Sequence, residues 1–377
     1  MKLIFTSDEF KVGNYSYNGF PILLHENMTT FREGLDFLLY HCIQRGRVAS
    51  KNSWITYGRD FYDFFAFIDA NNLDWRAVNT RGDGHIIAVY RDASLTKFNL
   101  AESTVNRRLR LIIKFYQYAA HQGWVSELPY SVETITVRQP KSFLAHTDRS
   151  GGNRSTADVL LKTRKTTIKV LSSSQVEMLL MAIKDSRFKL MIRLGLATGL
   201  RKEELLTFPK SYVIDPRRYP VNGFYIVTIS PKEMSTKGSH ERSIHVPKSL
   251  MEDLWQYIIH ERPILSALRE DQYNELFLNE NGKPYSTKSN TLNARLNKLG
   301  LPFDIFPHIL RHTYATHTLY ALQRQPNLSF NPLMYVRDRL GHSSITTTER
   351  YLHFIDDIAD IVLNEYQREI DTMLIAV

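Results

Sequence analysis

The sequence predicts a mainly α-helical protein with one small β-sheet, arranged as a helical N-terminal domain followed by a mixed α/β domain. Three observations point there. Apolar residues recur at helical spacing through much of the chain, as in Trp54, Tyr57, Phe61, Phe64, Phe65 and Ile68. Two short strand-like runs, 224–229 and 242–246, flank a polar turn at Thr236-Lys237-Gly238-Ser239-His240. From about 138 to 170 the periodicity gives way to polar, basic, Gly- and Ser-bearing sequence, which reads as an interdomain linker. A length of 377 residues suits two or three domains.

In chain order, residues 1–29 form an N-terminal extension of short apolar patches broken by Gly13, Asn14, Asn18 and Gly19, expected as strands and turns with no assigned role. The helical domain spans 30–137. Thr30-x-x-Glu33 reads as a capping box for a helix whose apolar side is Leu35, Leu38, Leu39, Cys42 and Ile43. Ser53 caps a second helix, closed by Asn71-Asn72, with its aromatic stripe in the core. A third covers 83–90. Ser103 or Thr104 opens a fourth, which buries Val105, Leu109, Ile112, Ile113 and Tyr116 and stops at Gly123. After the basic linker, 138–170, the second domain spans 171–377. Ser174-Gln175-Val176-Glu177 reads as its opening capping box, and a second helix runs up to Gly199. Further helices fall around 250–260, 290–299, 308–322 and 333–340. Ile355, Ile358, Val362, Tyr366, Ile370 and Met373 keep helical spacing to the end, in a helix that either folds back on its own domain or docks on a neighbour.

Composition narrows the partners. A net charge of +9 and a pI near 9.4 suit a polyanion, nucleic acid before an anionic membrane surface. The one cysteine, Cys42, excludes an internal disulfide framework and a thiolate-rich zinc site, and reads as a small buried hydrophobe. The start is too short in apolar residues for a signal peptide, and no stretch is apolar enough to span a bilayer. A cytoplasmic, DNA-associated protein is expected, with no membrane partner.

Three stretches carry candidate chemistry: Ala197-Thr198-Gly199-Leu200-Arg201-Lys202-Glu203-Glu204-Leu205, Pro307-His308-Ile309-Leu310-Arg311-His312, and Leu340-Gly341-His342 with Thr348-Glu349-Arg350-Tyr351 after it. Arg201 follows a tight turn between two helices, and Glu204 lies one turn on, placed to orient it. His308 and Arg311 share one helical face. Cleaving a phosphodiester requires charge on the non-bridging oxygens, a nucleophile in line and a proton for the departing oxygen. The sequence carries no HExxH, paired-Cys or dense acidic spacing for a metal cage, so no cofactor is expected and the charge falls to side chains. Arginine suits this, being always protonated and able to grip two phosphate oxygens. A tyrosine, with a phenol pKa near 10, needs help to attack.

In order and spacing these stretches resemble the tyrosine recombinase (phage integrase) family, whose box is Arg, His-x-x-Arg, Gly-His and Tyr. The resemblance implies a catalytic domain of that type, with Arg201, His308, Arg311 and His342 at the phosphate and Tyr351 as nucleophile. It assigns general acid to the hairpin lysine, Lys237, ahead of Lys232 and Lys248. It implies site-specific cleavage and rejoining of double-stranded DNA through a 3′-phosphotyrosyl link, without metal or ATP, by a homotetramer on two sites, with accessory DNA-bending or directionality proteins as further partners. Residues 50–140 resemble the family's N-terminal core-binding domain less specifically. There, Arg107, Arg108 and Lys114 on the fourth helix, with Arg138 and Lys141 in the linker, are either phosphate contacts or a solvated face. His312, His317, His240 and His245 read as structural or DNA-proximal. The stretch 320–332 makes the Arg311 to His342 interval longer than the family pattern. A topoisomerase of type IB and a non-catalytic DNA-binding protein of the same fold are the alternatives.

Overall fold

Two units, Met1–Lys165 and Thr166–Val377, are built separately in the computed structural model. It describes residues 1–46, 48, 50–78, 86–137, 152–162, 168–236, 241–325, 328–342, 344–349 and 351–352. Arg138, Lys141, Lys237, His240 and the apolar stripe from Ile355 to Met373 therefore lie outside the described residues, as does the expected helix start at Asp83. No helix among the described residues is long and apolar enough to cross a membrane.

The first unit opens with β1 (Lys2–Phe5), β2 (Lys11–Val12), β3 (Tyr15–Ser16) and β4 (Pro21–Leu24). β1 and β4 pair antiparallel, Lys2 opposite Leu24 and Phe5 opposite Pro21. Four helices follow: α1 (Arg32–Leu39), continued by a π-turn at Tyr40–Gln44, then α2 (Lys51–Ala70), α3 (Ile86–Thr96) and α4 (Glu102–His121). Their core is aromatic. Phe61 meets Phe65 at 4.7 Å and Phe115 at 5.1 Å, both edge to face, the geometry that ring quadrupoles favour. Gly58 lies within α2 because β4 packs there: a Cβ on it would stand 2.2 Å from Pro21 Cβ.

The expected helix starts shift. Thr30 bridges to Leu24, and the Phe31 amide donates to Leu23 O, so the chain stays extended through Phe31 and the Thr30–Glu33 box does not form. Ser53 lies inside α2, whose N-cap is Ser50, and α4 starts at Glu102 with Ala101 as its N-cap. α3 runs beyond Tyr90 to Thr96. The expected linker is also partly structured. β5 (Val132–Val137) and β6 (Gly152–Ala157) form an antiparallel ribbon, and Ala157 and Val159 are buried in this unit's core. Asn106 holds Leu161 through both its backbone groups, at 2.8 and 2.9 Å. The ribbon escapes a sequence reading because β5 is exposed on both faces from 132 to 136 and carries no apolar alternation.

The second unit has α5 (Ser173–Ala182), α6 (Ser186–Thr198), α7 (Lys202–Leu206), β7 (Phe224–Ile229), β8 (Arg242–Pro247) and α8 (Lys248–Gln256). A π-turn at Tyr257–Glu261 leads into α9 (Arg262–Ser266), followed by α10 (Thr291–Asn297), α11 (Pro307–Gln323), α12 (Pro332–Leu340) and α13 (Ile345–Glu349). The capping box at α5 is real but shifted, with Ser172 and Gln175 as its reciprocal pair. The β7–β8 pair buries Tyr225, Val227 and Ile229 against Ile244 and Val246, the alternation expected of a half-buried ribbon. The stretch 320–332 is taken up by the last turn of α11 and by Asn331, whose side chain accepts from the Leu333 and Met334 amides to cap α12; residues 326 and 327 lie outside the described set.

α11 crosses α6 closely enough that a Cβ on Gly195 would lie 3.2 Å from Leu310 Cδ1. α6 ends on Gly199 at φ +64°, where a Cβ would stand 2.4 Å from Tyr314 Cδ1. Gly199→Ala should therefore lower stability by more than the roughly 1–2 kcal/mol that the left-handed conformation alone costs an L-residue. Thermal unfolding checks this; an unchanged midpoint would mean that the turn relaxes without cost.

Candidate active site

The site grows from the end of α6. Gly199 turns the chain left-handed, and Arg201 becomes the N-cap of α7. Glu204, at the third helical position, reaches back to that cap. Its carboxylate accepts from the Arg201 amide at 2.8 Å and from the Arg201 guanidinium at 3.0 Å. Arg242, the first residue of β8, donates to both oxygens of the same carboxylate, at 2.9 and 2.6 Å, and its Nε to Arg339 O at 3.0 Å. Glu204 is fully buried. Burial pushes its carboxyl upward, but the hydrogen bonds and charge of Arg242 and those of Arg201 outweigh it and hold the group below the usual carboxylate range. Gly341 is required twice over here: its φ is +63°, and a Cβ on it would lie 2.8 Å from Arg242 Cδ.

Arg311, on α11, is 1% exposed. It donates to Gly199 O at 2.7 Å and to Leu340 O at 2.6 Å. Both carbonyls belong to helix C-termini, of α6 and α12, where the backbone carries partial negative charge. Burial, then the charge of Arg201, brings its pKa down to about 9, against the pull of Glu204. It remains a cation at neutral pH.

His342 follows Gly341, and its Nδ1 lies 2.9 Å from Thr348 Oγ1. Burial, then the guanidiniums of Arg311, Arg201 and Arg242, brings its pKa down to about 3, so the ring is neutral in the resting protein. Tyr351 comes just after α13 and is 3% exposed, packed with Tyr314, Leu319, Leu333, Val336 and Leu340. Its ring runs parallel to that of His342, at 9° and 6.3 Å between centroids. Its hydroxyl lies 3.0 Å from His312 Nδ1. His308, exposed in the first turn of α11, meets the His312 ring edge-on at 4.4 Å.

The fold thus gathers Arg201, Glu204, His308, Arg311, His342 and Tyr351, together with two residues that sequence reasoning did not place there. Arg242 left one signal, a charged residue at an inward position of a half-buried strand. His312 left another, standing four residues after His308 on the same helical face. His245 and His317 are structural contacts, the first at Tyr335 OH (2.8 Å) and the second at Leu171 O (2.8 Å). Chemically, three guanidiniums act on the carboxylate of Glu204, which can neutralise one of them. The positive charge left over stands beside a buried phenol.

In the first unit the expected basic face is partly spoken for. Arg107 donates to Asp60 at 2.8 Å, and Arg108 to Asp63 at 2.5 Å, where the Tyr90 hydroxyl also donates. Arg107 is still half exposed, whereas Arg108 is committed inward. Asn106, next to Arg107 on α4, is buried. Lys114 instead lines a cavity of about 440 Å³ with His41, Arg45, Gln117 and His121. His41 Nε2 is buried there without a hydrogen-bond partner among the described residues, and burial, then Lys114 and Arg45, brings the His41 pKa down to about 4. Burial, then Arg45 and Arg110, lowers that of Lys114.

The chain matches the phage integrase family over residues 169–357 and the N-terminal SAM-like domain of phage integrases over 37–123. It is 29% identical over 279 residues to transposase A of transposon Tn554 from Staphylococcus aureus, covering 70% of each chain. It is 26% identical over 343 residues to the tyrosine recombinase XerC of Halalkalibacterium halodurans, covering 88% of this chain and 96% of that one. Two solved structures share the fold, each with 18% identity and a TM-score of 0.55. One is the XerH site-specific recombinase bound to its difH substrate after cleavage, covering 88% of this chain and 84% of that one. The other is the Tn1549 transposon integrase with circular-intermediate DNA, covering 84% and 93%.

The depressed pKa of His342 has a consequence for stability. The unfolded histidine takes a proton near 6.5, the folded one only near 3, so the contribution of the neutral ring is complete above 6.5 and is lost as pH falls toward 3. His342→Asn should therefore flatten the fall in unfolding midpoint across that window. A midpoint with the wild-type pH dependence would show that the ring is not held neutral by the arginines.

Proposed function

The chain belongs to the phage integrase family of tyrosine recombinases, and from that premise we propose how its second unit cuts and rejoins DNA at a specific site. One observation carries the reading: a buried tyrosine stands beside a group of guanidiniums whose charge Glu204 only partly neutralises. A phosphodiester is the anion that completes this balance. Arg201 and Arg311 hold its non-bridging oxygens, with His308 and His342 as further hydrogen-bond donors, and Glu204 and Arg242 set the direction of Arg201. Bringing a phosphate anion beside His342 opposes the repulsion of the arginines and favours its protonated, donating form.

Tyr351 attacks the phosphorus and displaces the 5′-oxygen, leaving a 3′-phosphotyrosyl ester. Lys237 is the proposed donor of the proton that the 5′-oxygen needs. The ester conserves the bond energy, so rejoining requires no nucleotide, and the guanidiniums supply the charge neutralisation that a metal would otherwise provide. The acting form is a homotetramer on two DNA sites. Accessory DNA-bending or directionality proteins would bias the outcome between integration and excision.

The first unit would grip the same duplex. Its cavity, where Lys114 and Arg45 press positive charge together beside a neutral His41, suits a backbone phosphate better than the Arg108 position does. Arg138 and Lys141 remain proposed backbone contacts.

Two experiments test this. A nicked suicide duplex carrying a site selected from a random-sequence pool should trap wild-type protein as a band stable on a denaturing gel. Tyr351→Phe should bind that duplex normally and give no band; a persistent adduct would reject Tyr351 as nucleophile. Arg45→Ala and Lys114→Ala should each weaken binding to selected and unrelated duplexes alike, and lower the slope of log affinity against log salt by about 0.9. An unchanged slope in both variants would remove the cavity from the DNA interface.

A further inference from the structure

The phenol of Tyr351 has to lose a proton to attack, and the arginines that hold a phosphate cannot accept one. On the reading that Tyr351 is the nucleophile, we infer that His312 is a catalytic residue: its Nδ1 takes the Tyr351 proton as the phenol oxygen attacks, and returns it when the strand is rejoined. The contact is direct, with 3.0 Å between Nδ1 and the hydroxyl, a distance across which a proton moves without rearrangement. The two rings pack at 5.7 Å with 53° between planes, so the imidazole is held beside the phenol rather than passing it on a mobile chain. Tyr351 is 3% exposed, which keeps bulk water from acting as the acceptor.

Each group around the phenol has a separate task. His342 lies parallel to the phenol ring, with its Nδ1 at Thr348. Arg311 spends donors on Gly199 and Leu340 and has no lone pair to accept a proton. His312 is half-buried on the rigid middle of α11, one residue beyond Arg311, so a single helix sets the phosphate-gripping guanidinium and the proton acceptor together. The balance closes. In the tautomer with its hydrogen on Nε2, His312 accepts the phenol proton at Nδ1 and becomes imidazolium. The phenolate oxygen forms the new bond to phosphorus, and the bond to the 5′-oxygen breaks as that oxygen takes a proton from the general acid. Rejoining runs the same transfers backward, with the imidazolium protonating the departing phenolate.

The test compares His312→Ala and His312→Gln in the full-length protein on the suicide duplex. Glutamine can still accept a hydrogen bond from the phenol but cannot carry its proton. Both variants should bind DNA and unfold as wild type does, and both should form the covalent adduct roughly a hundred- to ten-thousand-fold more slowly. Added imidazole should restore part of the rate in His312→Ala, where the cavity left by the ring admits it. Wild-type rates in His312→Gln would make His312 a positioning residue only, and wild-type rates in His312→Ala would remove it altogether. Slow cleavage in both without any response to imidazole, or loss of the thermal transition in both, would also overturn the assignment. Failure of the underlying reading shows separately, as a covalent adduct that survives Tyr351→Phe.

Discussion

Glu204 brings Arg201 and Arg242 to one buried carboxylate, and the rest of the second unit is arranged to make that burial tolerable. Removing an ion from water costs several kcal/mol, and a buried pair repays this only when its remaining hydrogen-bonding positions are filled. Here they are filled. A carboxylate offers about four acceptor directions, and Glu204 uses them on two donors of Arg242, one of the Arg201 side chain and the Arg201 amide. Arg242 in turn places its Nε on Arg339 O, which ties the strand to the end of α12. The clamp therefore joins α7, β8 and α12, and any change to one of them is felt at the others.

Arg311 solves a related problem by different means. It is as deeply buried, yet it donates to backbone carbonyls at the ends of α6 and α12. Partial charges at helix C-termini steady a guanidinium without cancelling it, so the cation stays available to an arriving anion. Both helices end on left-handed glycines, Gly199 and Gly341, because a side chain at either would strike Tyr314 or Arg242. At Gly199 the conformational demand of the turn and the electrostatic demand at Arg311 are thus met by one residue. α11 carries the arrangement as a rigid beam, anchored by the Thr313 hydroxyl accepting from the Leu171 amide and by His317 at Leu171 O.

The first unit uses acid–arginine pairs for a structural end. Asp60 is 2% exposed, and Asp63 is shared by Arg108 and the Tyr90 hydroxyl, so these arginines brace α2 and α3 against α4. Burial pushes the Asp60 carboxyl upward against the pull of Arg107 and Arg108. Around Lys114 the opposite holds, since the neighbours that lower its pKa after burial are the cations Arg45 and Arg110. Two stretches of one basic helix face therefore differ in kind: one is paired with carboxylates inside the fold, the other gathers cations beside one another.

The sequence by itself determined the helical character, the β7–β8 ribbon and the order of Arg201, His308, Arg311, His342 and Tyr351, because side-chain period and motif spacing are local properties of the chain. It also marked Glu204 as the partner of Arg201, which lies only three residues away. Tertiary structure alone decided the rest. Arg242 reaches Glu204 across 38 residues and Arg339 across 97, and His312 reaches Tyr351 across 39. The helix starts shifted for the same reason, since Thr30 was claimed by a bridge to Leu24 before it could cap α1. A polar side chain or backbone group satisfies itself with whichever partner folding brings within about 3 Å, and that competition is settled only when distant segments meet.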